Sequence, residues 1–153
     1  MEFAYDYYPN DPATKGGNAG RLKTLELEMG PEDAPEERRR VRYDYYSADS
    51  THGAEGDLRL VSHEEWDGDN WLAVRCEYYR YYKAPHNNAQ WERGNAHRMM
   101  LVVGPAGCAA LGDPSTYDSK SNSEILAVSR YYFEYDAEDR VFREFMNGGT
   151  LMH

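Results

Sequence analysis

Aromatic and polar positions alternate along much of the chain. In Phe3-Ala4-Tyr5-Asp6-Tyr7, residues 3, 5 and 7 fall on one side of an extended strand, and Ala4 and Asp6 on the other. Val41-Arg42-Tyr43-Asp44-Tyr45 returns the pattern 38 residues later, and Tyr131, Phe133 and Tyr135 form a third such stripe. Tyr, Phe and Val suit the pleated, half-buried surface of a strand. The first two stripes lead through a polar, Gly-bearing stretch into a second strand-like run. These runs are Gly20-Arg21-Leu22-Lys23-Thr24-Leu25-Glu26-Leu27-Glu28 and Gly56-Asp57-Leu58-Arg59-Leu60-Val61-Ser62-His63-Glu64. Each unit therefore predicts a β-hairpin. A lone hairpin cannot bury its apolar stripe, whereas successive hairpins in one sheet can.

Units are predicted near 3–28, 41–66 and 78–103, with a final compact one in 129–150. The compact unit runs Phe133-Glu134-Tyr135-Asp136-Ala137-Glu138-Asp139-Arg140-Val141, so that Tyr135-Asp136 matches Tyr5-Asp6 and Tyr43-Asp44. The third unit is degenerate. Tyr78-Tyr79-Arg80-Tyr81-Tyr82 lacks the Asp, and the return strand is Met99-Met100-Leu101-Val102-Val103. Residues defining the repeat are Tyr5, Asp6, Gly20, Leu22, Tyr43, Asp44, Gly56, Leu58, Tyr79, Tyr135, Asp136, Arg140 and Val141. Asp-Gly between Trp66 and Trp71 signals a tight hairpin turn. Residues 104–128 break the pattern as an insertion. Within it, Pro105–Leu111 is a short helix with Pro in its first turn, and Glu124–Ser129 is a helical turn or a strand entry. The fold expected is mainly β: an antiparallel sheet of successive hairpins, a curved ribbon or partial shell wall, with a short helical insertion.

Composition narrows the function. The chain has 153 residues, 14 of them Tyr, and a net charge of −10. An acidic chain without a basic stripe is a poor partner for nucleic acid or anionic lipid. Its longest apolar run, Met99–Val103, is strand-sized, so no membrane insertion is expected. Met1-Glu2-Phe3-Ala4-Tyr5-Asp6 has neither the basic start nor the apolar middle of a signal peptide. Cys76 and Cys108 make no disulfide framework and are read as two free thiols in preference to one disulfide.

Tyr-Asp followed by a hairpin closing on Gly/Asp-Arg-Val/Leu resembles the rearrangement-hotspot family, also called YD repeats. The clearest match is Tyr131 to Val141, and Val41–Tyr82 looks like the longer variant found in large secreted proteins of environmental bacteria. Together the resemblance covers residues 3–103 and 129–149. It implies a β-ribbon that spirals into a hollow shell, which encloses a C-terminal toxin in bacterial polymorphic toxins and serves adhesion in teneurins. By that resemblance the chain is a fragment, or a stand-alone remnant, of a larger secreted or cell-surface protein. Its partners are further repeats of the same protein, and an enclosed C-terminal domain or a surface partner. The family's self-cleaving core motif is not seen, and Asp113-Pro114 is isolated in the insertion. An open wall leaves strand edges and aromatic surface uncovered, which favours self-association of the isolated chain.

No catalytic residue, cofactor site or metal site is assigned. The Asp after each Tyr recurs in register with the strands, which points to turn initiation, ahead of an ion pair such as Asp136 with Arg140. His63-Glu64-Glu65-Trp66-Asp67 lacks the second His of a zinc-protease motif. Asp67, Asp69 and Asn70 suggest a calcium loop but lack its downstream Gly and Glu. A second reading is a carbohydrate- or protein-binding β-module in which Trp66, Trp71, Trp91 and Tyr82 stack on a ligand. An exposed coplanar row of Trp would favour it; a Tyr stripe buried between hairpins would favour the shell. A small enzyme without a recognisable motif is the third reading, and it requires a cleft with convergent polar groups.

Overall fold

The computed structural model describes residues 1–9, 19–30, 37–87, 89, 91–146 and 150–151. Among these residues nine strands lie in one antiparallel sheet in chain order: β1 (Glu2–Tyr7), β2 (Leu22–Met29), β3 (Glu37–Tyr45), β4 (Leu58–Trp66), β5 (Trp71–Tyr81), β6 (Met99–Val103), β7 (Tyr131–Tyr135), β8 (Val141–Met146) and β9 (Thr150–Leu151). The sheet is an open meander of hairpins, as the alternation predicted. The return strand Met99–Val103 and the turn joining Trp66 to Trp71 form where expected, with Asp67 Oδ1 accepting the Asp69 and Asn70 N–H groups.

Helix α1 (Pro105–Leu111), a 3-10 helix (Pro114–Ser119) and helix α2 (Asn122–Leu126) lie between β6 and β7. Pro105 begins α1 at a position that needs no N–H, and the Gly112 N–H closes it on the Cys108 carbonyl. Ser121 and Glu124 cap α2 reciprocally. The 3-10 helix, begun by Pro114 and the Asp113 side chain, had no periodic signal in the sequence.

Four β-bulges reveal the true repeat. The pairing register shifts between Asp6 and Tyr7, Asp44 and Tyr45, Arg80 and Tyr81, and Glu134 and Tyr135. In each case the return strand carries one extra residue: Lys23, Arg59, Met100 or Phe142. The match of Tyr135-Asp136 to Tyr5-Asp6 is therefore two residues off. Phe133-Glu134 is the equivalent pair, and Tyr135-Asp136 corresponds to Tyr45-Tyr46. The degenerate unit, by contrast, is fully in register, with Arg80 in the place of Asp44.

The two faces differ. Phe3, Tyr5, Tyr7, Leu25, Leu27, Val41 and Tyr43 share one face by alternation and register, and it stays open. On it, a shallow concavity of about 440 Å³ is lined by Phe3, Leu25, Leu27, Val41, His63 and Val74 among others. The opposite face carries the core of the C-terminal half, where Leu60, Cys76, Tyr78, Leu101, Val103 and Tyr132 meet Cys108, Tyr117 and Ile125 of the insertion. Burial thus departs from the expected stripe. Phe3, Tyr5 and Tyr7 are each more than half exposed, while Tyr46, Tyr78, Tyr82, Tyr117 and Tyr132 are buried. The insertion covers only the face on which Tyr78 and Arg80 stand, while Tyr46 and Tyr82 are buried beside Gly53 and Gly94 of their own units.

Candidate functional site: the joints between units

Each unit closes by the same pair of backbone hydrogen bonds. The Tyr8 N–H donates to the Arg21 carbonyl and the Gly20 N–H to the Tyr8 carbonyl, both at 3.0 Å. Tyr46 with Asp57 and Gly56, Tyr82 with Arg98 and His97, and Asp136 with Arg140 and Asp139 repeat it at 2.8–3.1 Å. Gly20, Gly56, His97 and Asp139 occupy equivalent positions and all have positive φ, between 63° and 83°. This left-handed conformation suits Gly and is tolerated by polar residues. The intervening segments, 9–19, 47–55, 83–96 and 137–138, differ widely in length, so the closing pair and not the loop sets the register.

The residue at the closing position then locks its unit to the next. Tyr8 Oη donates to the Tyr43 carbonyl at 3.1 Å, Tyr46 Oη to the Tyr79 carbonyl at 2.7 Å, and Tyr82 Oη to the Phe133 carbonyl at 2.7 Å. The acceptors are equivalent residues of successive units. Their rings meet edge-on with the next unit's end-of-strand tyrosine: Tyr8 with Tyr45 at 6.1 Å, Tyr46 with Tyr81 at 6.3 Å and Tyr82 with Tyr135 at 6.1 Å. Tyr45 and Tyr135 reach back in return, donating to the Leu22 and Met99 carbonyls. Burial pushes the Tyr46 and Tyr82 hydroxyls well above the ordinary tyrosine range, and Tyr8 up to about 12. Gly53 and Gly94 make room for the ring. A Cβ on either would lie 2.1 Å or 2.3 Å from Cδ2 of Tyr46 or Tyr82.

A second ladder runs through the turns. The Asp57 carboxylate lies 2.8 Å from Nδ1 of His97, and Arg98 pairs with Asp139 at 3.0 Å. In both, the residue after one positive-φ position meets the positive-φ residue of the next unit. Arg21 holds the same place beside Gly56, its guanidinium 5.3 Å from the Tyr45 ring.

Arg80 turns one joint into an anchor for the insertion. Its guanidinium is fully buried. It donates to the Tyr78 hydroxyl at 2.9 Å, Asn122 Oδ1 at 2.7 Å, and the Tyr117 and Lys120 carbonyls at 2.8 Å each. The Tyr78 hydroxyl donates to Asp118 Oδ1 at 2.9 Å, and Arg59 pairs with the same carboxylate at 2.7 Å. The equivalent Asp6 pairs with Lys23, while Glu134 pairs with Arg93. Of Asp6, Asp44 and Asp136, the carboxylates expected to start turns, only Asp136 does so, accepting the Glu138 and Arg140 N–H groups while also pairing with Arg140. Asp6 and Asp44 sit within strands at the bulge, which leaves them to side-chain partners.

The aromatic residues considered for ligand stacking form no single row: Trp66 lies with Trp71, and Tyr82 and Trp91 line a separate small cavity. Trp66 and Trp71 close the β4–β5 hairpin with rings 5.5 Å apart at 60°. Arg40 lies 4.3 Å from the Trp71 ring centre, and Arg38 lies over both rings. Trp91 packs on Tyr132 in the β5–β6 connection, and Tyr82 belongs to a joint. The Arg38-Arg39-Arg40 run alternates across β3. Arg38 pairs with Glu26 and Glu28, and Arg40 and Arg42 face the buried Glu64. Cys76 and Cys108 are free and buried, with the Tyr117 hydroxyl 3.8 Å from the Cys76 sulfur. The lock residues Tyr8 and Tyr46 were missed in the sequence. For Tyr46 the signal was the spacing Gly53-Ala54-Glu55-Gly56, which recurs as Gly94-Asn95-Ala96-His97 beside Tyr82.

No protein-family model matches the chain, and neither curated proteins nor solved structures yield a match. Among the described residues, no helix is long and apolar enough to cross a membrane.

Proposed function

We propose that the chain is a non-catalytic structural segment of a larger secreted or cell-surface YD-repeat protein. It forms part of a wall or scaffold that encloses or displays another domain. The observation that carries this reading is the joint itself, made three times with the same donor, acceptor and ring geometry at Tyr8–Tyr43, Tyr46–Tyr79 and Tyr82–Phe133. The recurring polar residues, among them Asp57, His97, Arg98 and Asp139, are spent on holding one unit to the next. Energy invested between neighbouring units is the hallmark of a repeat array, whose product is an extended surface. The open face of β1–β5, with its apolar concavity, is the side of the wall suited to contents or cargo.

The size and place of the native polypeptide test this reading. An antibody raised against the chain is expected to detect, in the culture medium or on the cell surface, a polypeptide far larger than 17.7 kDa. A 17.7 kDa species confined to the cell interior would overturn it.

A further inference from the structure

The joint has two halves, and β1 presents one of them unoccupied at the edge of the sheet. In β3, β5 and β7 the outer edge receives the return strand of the unit before it: β2, β4 and β6 respectively. Those three strands also supply the acceptor carbonyls Tyr43, Tyr79 and Phe133, and the ring partners Tyr45, Tyr81 and Tyr135. The bulge between Asp6 and Tyr7 aligns β1 with them residue for residue, so Tyr5 stands for Tyr43 and Tyr7 for Tyr45. Among the described residues, β1 pairs only with β2, and Tyr5 and Tyr7 are 59% and 53% exposed. The opposite end of the sheet is not the matching half. There the closing position is Asp136, which makes its own turn with Arg140 and offers no ring or hydroxyl.

We propose that the free edge of β1 is the receptor half of a fourth joint, and that its partner is the return strand of a further hairpin whose first strand ends in tyrosine. The proposal rests on the repeat reading above and adds the identity and polarity of the contact. A second copy of the chain does not supply this partner. Two β1 strands would bring receptor against receptor, Tyr8 being already engaged with Tyr43, and the far edge ends on Asp136. The hairpin 37–66 has the required parts: Tyr46, Gly53 to accommodate its ring, Gly56 at positive φ, and β4 as the return strand. Docked as β4 docks on β5, it would set Leu60 opposite Ala4, Val61 opposite Phe3 and Ser62 opposite Glu2, with no like charges facing.

The test extends the full chain with an added copy of 37–66 before Met1, joined by a flexible Gly/Ser linker. Tethering raises the local concentration to the millimolar range, so a marginal hairpin still has its partner at hand. Amide hydrogen exchange of β1 is expected to slow at least tenfold. Tyr46→Phe in the added copy should weaken that protection about three- to tenfold, the loss of one hydrogen bond, and Tyr46→Ala should abolish it. Three results would overturn the proposal: unchanged exchange of β1, protection unaffected by Tyr46→Ala, or concentration-dependent protection of β1 in the unextended chain, which would make the occupant a second copy. None of these depends on the size or location of the native polypeptide.

Discussion

Tyr46 donates its hydroxyl to the Tyr79 carbonyl at 2.7 Å across the boundary between two units. The ring, its hydroxyl and the carbonyl form one joint, so their contributions separate by mutation. Tyr46→Phe keeps the edge contact with Tyr81 and leaves the Tyr79 carbonyl without this partner, a loss of about 1 kcal/mol. Tyr46→Ala also empties a buried ring site and should cost about 3–5 kcal/mol. Urea denaturation of the two variants checks the order. Equal losses would show that the hydroxyl, and not the ring, carries the joint.

The two kinds of glycine should respond differently. At Gly53 and Gly94 an added methyl meets the Tyr46 or Tyr82 ring, so alanine is expected to cost about 1–3 kcal/mol or more through overpacking. At Gly20 nothing lies within 4 Å of the new methyl, and only the backbone at φ 74° resists. Gly20→Ala should therefore cost about 1–2 kcal/mol, and Gly20→Asn less. Thermal melts of Gly20→Asn and Gly20→Ala side by side test the conformational argument; identical losses would refute it.

Arg80 is expected to hold the insertion through geometry that lysine cannot copy. Arg80→Lys has a single ammonium in place of a planar fork that reaches Tyr78, Asn122, Tyr117 and Lys120 together. Both Arg80→Lys and Arg80→Leu should destabilise the chain, the latter by about 3 kcal/mol, because hydrogen bonds to a charged donor are lost and buried acceptors are left unpaired. Hydrogen exchange should rise first in 114–126. Uniform acceleration across β1–β4 would contradict a local anchor.

Alkaline pH should open the joints. The hydroxyls of Tyr8, Tyr46 and Tyr82 have folded pKa values raised above the ordinary value of about 10, first by burial. Protonated phenol is thus favoured by folding. Its contribution is complete below about pH 10 and is lost as pH rises from there through the folded values, about 12 for Tyr8. Phenolate absorbance and circular dichroism followed together should show these tyrosines ionising only as the sheet unfolds. Complete tyrosine ionisation near pH 10 with the sheet intact would refute this.

Much of the architecture was legible one strand at a time. The stripes at Phe3–Tyr7 and Val41–Tyr45, the return runs at Leu22 and Leu58, and the Pro105–Leu111 helix all formed where local pattern placed them. Alternation sets which residues share a face, and Gly, Pro and Asp-Gly mark where a strand must stop. These are short-range constraints that a single segment contains in full.

One feature turned on a local bulge and turn, and two depended on residues far apart in the chain. The register of the last unit was decided by its bulge at Glu134–Tyr135, because a two-residue turn at 137–138 closes on Asp136 where longer loops close on tyrosine. Tyr46 took its role from a carbonyl 33 residues away, and Arg80 from carbonyls 37 and 40 residues away. Which face became core depended on where the insertion after β6 packed. Alternation makes two faces equally available, and only the element laid across one of them removes it from water.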